Sequence, residues 1–340
     1  MIWFNRCLTN QIIMKFTIGA RFLLLTLTAF FWSNTNAQNI LKNIEKKDSS
    51  SDKKSFFKVN ANYLSNAIYS GRKDSSVVPY LRPSIGYFDN SGFYINGGVS
   101  LLVSPTDTKR IDLITLETGY AFNISKKLEG EITAAKFFYT DQSYAVTSEL
   151  KAITGINLGY DLGVVAISAG ADLLFSNNTD IFTNLKISHY FEMGQDTKKW
   201  AISPAIEMNA GTQYYNQAYY QNRKFTFATT TAGSGIVTSA ATHGKGHANG
   251  SSSSGNGNSV IKTLVFNDKN KFNILDYEIS VPVIYETSHW SLYATPDFAI
   301  PVNAANYAVD GVLQKEQLSN SFFIEIGAFI KLYTHRKAHA

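Results

Sequence analysis

The feature that most constrains this chain is an alternation of apolar and polar residues in short segments. Between positions 273 and 285 one parity is apolar and the other polar, namely Leu275, Tyr277, Ile279, Val281, Val283 and Tyr285 against Asp276, Glu278, Ser280 and Pro282. Because a β-strand turns successive side chains to opposite faces, such a segment has one apolar and one polar face. Similar segments recur about twelve times between Phe56 and Tyr333, which predicts a closed barrel with an apolar outside and a polar lumen.

The predicted fold is therefore all-β: a transmembrane, antiparallel up-and-down β-barrel of about 12 strands. We expect its strands at 56–69, 77–88, 92–103, 110–122, 127–139, 147–160, 163–175, 180–191, 199–212, 273–285, 289–300 and 320–333. The same alternation predicts which side chains contact lipid. Examples are Phe93, Ile95, Val99, Leu101 and Val103; Leu150, Ala152, Ile156, Leu158 and Tyr160; and Phe322, Ile324, Ile326, Ala328, Ile330 and Leu332.

Residues 1–37 have the composition of a cleaved signal peptide. Lys15 and Arg21 form a basic flank to an apolar run at 22–32, and small residues precede the expected mature start at Gln38. The chain could initiate at Met1 or at Met14, since a complete signal peptide follows either one. A transmembrane anchor is the alternative, but the run is far shorter than the roughly 20 residues that span a bilayer. The sequence thus predicts export through the inner membrane.

Composition excludes several other classes of protein. The one cysteine, Cys7, lies in the predicted signal peptide, so the mature chain forms neither a disulfide nor a thiolate metal site. The formal net charge of +5 falls when Arg6, Lys15 and Arg21 leave with the signal. The remaining charge gives no support to nucleic-acid binding, and no cofactor motif is present.

Three segments outside the strand pattern complete the predicted organisation. Residues 38–55 are polar and indicate a disordered periplasmic lead-in, and 334–340 form a basic C-terminal tail. Residues 213–272 indicate an extracellular, low-complexity and largely disordered loop, whose first part continues a strand-like alternation of Tyr and Phe up to residue 227. We expect it to be a mobile surface loop; a lumen plug and a ligand-contacting arm are the alternatives. The loop contains His243 and His247, but two histidines without a third ligand do not make a metal site.

Connection lengths and aromatic positions agree with a membrane barrel. The even-numbered connections are short and several odd-numbered ones are long, as expected when the termini and short turns are periplasmic and the long loops are outside. Aromatic rings concentrate at the headgroup level of membranes. We predict such a girdle at the periplasmic strand ends, formed by Tyr87, Phe93, Phe122, Tyr160, Phe191, Trp200, Tyr285 and Trp290.

The chain resembles the outer-membrane β-barrel proteins of Gram-negative bacteria. The resemblance is greatest around the segments Tyr277-Glu278-Ile279-Ser280-Val281-Pro282-Val283 and Tyr293-Ala294-Thr295-Pro296-Asp297-Phe298-Ala299-Ile300-Pro301, and it covers about residues 56–333. It implies a cell outer-membrane location, contact with outer-membrane lipid and assembly by the barrel-insertion machinery, but no activity. Such proteins usually end on an aromatic residue of the last strand, whereas here Tyr333 is followed by the basic tail.

Residues of the polar parity are expected to line the lumen. The charged candidates are Arg82, Glu117, Glu129, Glu131, Lys151, Asp172, Lys186, Glu207, Asp276, Glu278, Asp297 and Glu325, with Lys58 and Lys331 on the same parity. Acidic residues outnumber basic ones, and such an excess in a pore attracts cations. The alternative is that these groups pair with one another and fill a narrow barrel. Asp276, Glu278, Asp297 and Glu325 could also cluster as a carboxylate site.

An enzyme is the rival class, because a twelve-stranded outer-membrane phospholipase uses serine, histidine and asparagine on its outer face. His189 has the lipid-facing parity, but its same-face neighbours are Ile187 and Phe191, Ser188 points inward, and His289 lies in a turn. We therefore predict no enzyme activity and no catalytic residues. The predicted function is passage or binding of small polar solutes with mild cation preference. The alternative is a non-conducting structural or surface-recognition barrel that acts through its long outer loop.

Overall fold

The structure is a computed structural model that describes residues 54–74, 76–104, 108–141, 143–195, 198–222, 226–228, 258–260, 264–266, 269–309 and 312–334. The predicted signal peptide, most of the predicted lead-in, His243, His247 and residues 335–340 lie outside the described residues. Among the described residues, no helix is both long enough and apolar enough to cross a bilayer.

Twelve antiparallel strands form one closed barrel, which confirms the predicted fold. The strands are β1 Phe56–Leu64, β2 Tyr80–Phe88, β3 Phe93–Leu102, β4 Arg110–Asn123, β5 Leu128–Tyr139, β6 Ala152–Asp161, β7 Ala166–Phe175, β8 Thr179–Ser188 with Phe191–Gln195, β9 Lys198–Ile202 with Ala205–Gly211, β10 Asn273–Ser280 with Val283–Thr287, β11 Trp290–Pro301 and β12 Ser321–Tyr333. Each strand pairs with the next, and β1 pairs with β12 from Phe56↔Tyr333 to Leu64↔Glu325. Closure leaves no free sheet edge, as a barrel in lipid requires.

Prolines interrupt the hydrogen-bond ladders of β8, β9 and β10 without changing their register. Pro204 and Pro282 have no backbone N–H to donate. Their carbonyl oxygens still accept, from His189 N at 3.1 Å and Ser203 N at 3.0 Å respectively. The pairs Ser188↔Ala205 and Phe191↔Ile202 lie in one continuous register on either side of the break. Each of these strands therefore crosses the barrel wall once.

The two ends of the barrel differ in their connections. We call one end the turn rim, which holds the barrel termini and the short connections at 89–92, 124–127, 162–165, 196–197 and 288–289. The other end is the loop rim, with connections at 65–79, 103–109, 140–151, 176–178, 212–272 and 302–320. As predicted, the connections at the turn rim are short and those at the loop rim are longer, except that the loop-rim connection 176–178 is also short. The turn rim corresponds to the predicted periplasmic side.

A compact hydrogen-bonded turn joins β2 to β3 at the turn rim. Asp89 accepts hydrogen bonds from Ser91 N at 3.0 Å, Ser55 Oγ at 2.8 Å and the Tyr87 hydroxyl at 3.0 Å. The bonds from Ser91, and then those from Ser55 and Tyr87, hold the pKa of Asp89 well below its ordinary value. Ser55 precedes β1, so this carboxylate also joins the start of the barrel to its first turn.

The outside of the barrel is apolar. Phe322, Ile326 and Ile330 on β12 are exposed, as are Phe93 and Ile95 on β3. The side chains between them on each strand turn inward, and most of those are buried or half-buried. An apolar outer surface around a polar interior is the inverse of a water-soluble barrel and is typical of transmembrane barrels.

Three local predictions were wrong. Leu150 was expected to face lipid, but β6 begins only at Ala152, and Leu150 is buried in the 140–151 connection. Leu275 was also expected outside, but the ladder shifts register beside Asn209 and Ala210, and this β-bulge leaves Leu275 fully buried. The predicted strand-like continuation after residue 213 is instead helix α1, Tyr214–Asn222.

Short elements extend the loop rim beyond the barrel. Ile68–Tyr69 pairs with Arg72–Lys73 in the β1–β2 connection. Thr226–Ala228 pairs with Asn258–Val260. Leu264–Phe266, Asn306–Val309 and Val312–Lys315 form a three-stranded sheet that joins the β9–β10 and β11–β12 connections.

Candidate functional site: the lumen and its outer cap

A cavity of about 270 Å³ occupies the lumen along β1 to β7. Polar and charged side chains line its lower part, including Lys58, Arg82, Glu117 and Glu325. Small residues such as Ser84, Gly98 and Ser100 leave the space open. Its upper part, towards the loop rim, is lined by apolar residues of the connections, including Ile68, Tyr69, Val146 and Leu150.

The opposite half of the lumen is filled with side chains. Near the turn rim, Tyr293 and Phe329 pack with Ala201 and Ile284, and Tyr190 packs against this cluster. Lys331 reaches Glu286 at 3.0 Å in the same half. The space in the barrel is therefore asymmetric, and the cavity follows one wall.

A polar ladder separates the cavity from the filled half. Arg82 pairs with Glu325 at 2.5 Å and donates to Asn62 Oδ1 at 2.9 Å. Asn62 Nδ2 donates to Glu325 at 2.6 Å, and the Tyr293 hydroxyl donates to the same carboxylate at 3.0 Å. These four side chains come from β1, β2, β11 and β12, so they cross-link the seam at which the barrel closes. Glu325 is satisfied there and does not join the carboxylate cluster.

A second set of charges forms a buried layer on β8 to β10. Glu207 stands opposite both Lys186 and Glu278 in the ladder, and Asn209 stands opposite Asp276. Lys186 Nζ lies 3.9 Å from Glu207, and Asn184 donates to Glu207 at 2.9 Å. The side chains of Asp276 and Asn209 are buried beside each other in this layer. Asp297, also buried, faces Ser280 on the neighbouring strand.

The other predicted lumen residues have separate positions. Glu117 and Glu131 flank the Tyr94 hydroxyl, which donates to Glu131 at 2.8 Å. Glu129 lies at the turn rim, opposite Gly159. Asp172 lines the cavity. Lys151 was expected in the lumen, but it precedes β6, is exposed at the loop rim and donates to Asn177 at 2.9 Å; the late start of β6 explains the difference.

Aromatic side chains surround the turn rim on the outside. Of the predicted girdle, Phe93, Tyr160, Phe191, Trp200 and Trp290 are exposed, while Tyr87, Phe122 and Tyr285 are half-buried beside neighbours. Trp200, Tyr285 and Trp290 form a contiguous group with ring centroids 4.9 and 5.6 Å apart. Phe57, which was not among the predicted girdle residues, lies against Tyr87 with ring centroids 5.1 Å apart and extends the girdle at the same level.

Apolar side chains at the loop rim pack into a cluster that we call the outer cap. It consists of Tyr69, Val146, Leu150, Leu174, Phe182, Tyr215, Tyr219 and Leu275. Tyr215 and Tyr219 lie one helical turn apart on α1 and so present one face to the barrel. Burial raises the pKa of the Tyr215 phenol above its usual range. The cap thus joins the 65–79, 140–151 and 212–272 connections to the loop-rim ends of β7, β8 and β10.

Buried polar contacts lock the outer cap in place. Arg72 donates to the carbonyl oxygens of Leu275 at 2.5 Å and Val302 at 3.0 Å and lies 3.6 Å from Glu316. Glu316 also accepts from Asn216 at 3.2 Å. Asp180 accepts from the first two backbone N–H groups of α1, at 2.7 Å each, and holds its N-terminus. Arg72, Asp180, Asn216 and Glu316 could not be predicted as cap residues, because contacts that involve loops follow no periodic pattern in the sequence.

The two described histidines lie at separate places near the turn rim. His189 faces outward and stacks edge-on against Phe191 at 4.2 Å, and its Nδ1 contacts the carbonyl oxygen of Val164. His289 lies in a turn, where Nδ1 is 2.8 Å from Ser288 Oγ. Within the described ranges, no group of three or more His, Cys, Asp or Glu side chains is arranged to hold a metal ion.

Solved outer-membrane barrels are similar to this chain in overall fold. The KdgM porin is 8% identical with a TM-score of 0.37, covering 82% of this chain and 99% of that one. LpxR from Salmonella typhimurium is 7% identical with a TM-score of 0.42, covering 80% and 99%. The CymD monoaromatic hydrocarbon channel is 12% identical with a TM-score of 0.33, covering 89% and 94%. No protein-family model and no curated protein sequence matches the chain. At these scores the barrel is established by its own strand pairing, and no activity is transferred.

Proposed function

We propose that this chain is an outer-membrane barrel that passes or binds small polar solutes, with a mild preference for cations. The observation that supports this proposal is the cavity of about 270 Å³ inside the lumen, with charged side chains on its wall. Barrels of about eight strands fill their interior with side chains, and those of about 16 hold a water-filled channel. A partly filled lumen fits the intermediate number of strands.

Cation preference follows from the excess of acidic over basic side chains that point into the lumen. Arg82, Lys186 and Lys331 each pair with a carboxylate. The inward parity also carries Glu117, Glu129, Glu131 and Asp172, so acidic side chains outnumber basic ones in the lumen. A lumen with this excess attracts cations and discourages anions.

The outer cap lies where a solute would enter the cavity from the loop rim. Buried apolar side chains and the Arg72–Glu316 pair are packed at the loop rim, next to the upper end of the cavity. We propose that passage is gated there, and that solute reaches the cavity from the loop side when these contacts separate. The signal peptide, its cleavage after Ala37, the aromatic girdle and insertion by the barrel-assembly machinery belong to the same proposal.

Conductance of the refolded mature protein in a planar bilayer tests the proposal. Discrete steps with a reversal potential that favours potassium over chloride are expected, and opening of the cap should make them intermittent. Folding is checked separately by heat-modifiable gel mobility. A folded protein that neither conducts nor admits small sugars or ions into liposomes would contradict passage.

The second candidate is a non-conducting barrel that acts in structure or surface recognition through the 213–272 loop. The side chains packed opposite the cavity and the packed outer cap favour it. Deletion of residues 223–268 separates the two functions while leaving α1 intact. A channel should keep or increase its conductance after the deletion, whereas a recognition protein should lose surface binding without any change in ion flux.

A further inference from the structure

Asp172 is a carboxylate on the cavity wall that takes no part in the polar networks described above. Asp172 lies on β7, is 5% exposed and lines the cavity near its upper end. In the ladder it stands between Gly155, which has no side chain, and Phe182, which belongs to the outer cap. The carboxylate therefore borders the cavity at the level where its wall changes from polar to apolar.

Asp172 differs in its partners from the other cavity carboxylates. Glu325 is held by Arg82, Asn62 and Tyr293, and Glu117 lies beside Tyr94. Asp172 Oδ1 is buried with no hydrogen-bond partner, and no described basic side chain forms an ion pair with the group. A buried carboxylate without a donor is costly, so an unpaired one beside a cavity indicates a partner that occupies the cavity.

The surroundings of Asp172 define the chemistry of that partner. Phe137, Leu150 and Ile153 line the cavity wall with it, and Tyr69 closes the space above. A carboxylate attracts an ammonium group through a charge-assisted hydrogen bond, and aromatic faces attract cations as well. The apolar wall requires an apolar body. The volume lies just below the range of roughly 300–1,000 Å³ for drug-sized ligands, so the partner must be small.

We propose that the lumen binds small primary amines that carry an apolar or aromatic body, with the ammonium group on Asp172 and the body against Phe137, Leu150 and Ile153. This inference rests on the proposed function and names the class of solute that the same cavity selects. An amine replaces the missing donor, whereas an alcohol of the same shape offers a neutral donor and a carboxylate repels the site.

Binding of phenethylamine, compared with phenethyl alcohol and 3-phenylpropionate, tests the proposal by titration calorimetry on the detergent-refolded mature protein at pH 8. We expect the amine to bind at least tenfold more tightly than the alcohol, and the carboxylate not to bind. Asp172→Asn should weaken amine binding at least tenfold and leave alcohol binding within twofold. Asp141→Asn, the same change at an exposed loop-rim carboxylate, should alter neither.

Equal affinity for amine and alcohol in the wild-type protein overturns the inference, and so does undiminished amine binding by a folded Asp172→Asn variant. If that variant does not refold, the wild-type comparison still decides, together with Asp172→Glu, which keeps the charge and should keep the preference. Planar-bilayer recordings separate this inference from the proposed function. If the barrel conducts but neither binds phenethylamine nor is blocked by it at millimolar concentration, the amine site alone is refuted. If the barrel binds the amine but does not conduct, solute passage alone is refuted.

Discussion

At the scale of single residues, space in the lumen depends on which positions lack a side chain. Gly327 on β12 faces the Tyr293 ring, and a Cβ there would lie 2.6 Å from Tyr293 Cζ and from its hydroxyl oxygen, and 2.7 Å from Asn62 Cβ. Both neighbours are held in the polar ladder at the barrel seam, so neither can move without losing hydrogen bonds.

Gly327→Ala should therefore destabilise the barrel by about 1–3 kcal/mol through overpacking. Gly97→Ala is the matched control, because a Cβ at Gly97 meets nothing within 4 Å. Urea unfolding in detergent, followed by tryptophan fluorescence, measures both variants. Equal midpoints for the two would show that the seam is more deformable than these distances indicate.

Arg72 is the residue on which the outer cap depends most. Its loss leaves Glu316 buried without its charge partner and removes the hydrogen-bond donor from the carbonyl oxygens of Leu275 and Val302. Breaking a buried pair on one side costs about 3–5 kcal/mol, whereas replacing both partners with apolar residues costs less. Arg72→Ala should thus expose the connections to protease, and the double variant Arg72→Met with Glu316→Leu should be more resistant than the single one. Protection unchanged in Arg72→Ala would contradict the locking role.

Asp89 at the turn rim should make stability depend on pH. Its folded-state pKa is depressed by the bonds from Ser91, Ser55 and Tyr87, so its contribution is present above the unfolded value of about 3.9 and is lost as pH falls below it. Asp89→Asn should be less stable than the wild type at pH 7, and this difference should shrink by pH 3. Urea midpoints at the two pH values test this, and a difference that grows on acidification would reverse the sign.

At the scale of strands, alternation predicted orientation well wherever the ladder is regular. Ile326 and Ile330 are outside, and Glu325 is inside, as the parity of β12 requires. The predicted orientation of Leu275 was wrong, because the extra residue of a β-bulge reverses the direction of the side chains before it in the strand. A bulge has no reliable pattern in sequence. The predicted strand-like continuation after residue 213 was also wrong, because residues four apart, such as Tyr215 and Tyr219, share one face in a helix as well as in a strand.

Single cysteine variants test the orientation of β12. Ile324→Cys, Ile326→Cys and Ile330→Cys in liposomes should react with a lipid-phase maleimide and resist a charged, water-soluble one. Ser84→Cys, on the inward parity of β2 and in the cavity wall, is the control and should show the opposite preference. The native mature chain has no competing thiol if the signal is removed. Water-phase labelling of the three isoleucine positions would refute the assignment of the lipid face.

At the scale of the whole molecule, lumen charge should set ion selectivity. Glu117 lines the cavity and is half-buried. Glu117→Gln should lower the permeability ratio of potassium to chloride by a factor of about two to five, which corresponds to roughly 0.4–1 kcal/mol. Reversal potentials in a tenfold salt gradient measure the ratio. Asp141→Asn should leave it close to the wild-type value, and an equal decrease in both variants would assign selectivity to the rim.

The sequence by itself determined the class of the molecule. Period-two alternation, the absence of long apolar runs and the connection lengths together specify a twelve-stranded barrel, because backbone groups in lipid must pair and only closure pairs them all. Tertiary structure alone decided how the interior is used. Arg72 reaches Glu316 and Asp180 holds α1 across gaps of sequence that carry no periodicity. Whether an inward carboxylate is paired, like Glu325, or unpaired, like Asp172, depends on which strands close against each other, and that is a property of the closed barrel rather than of any one strand.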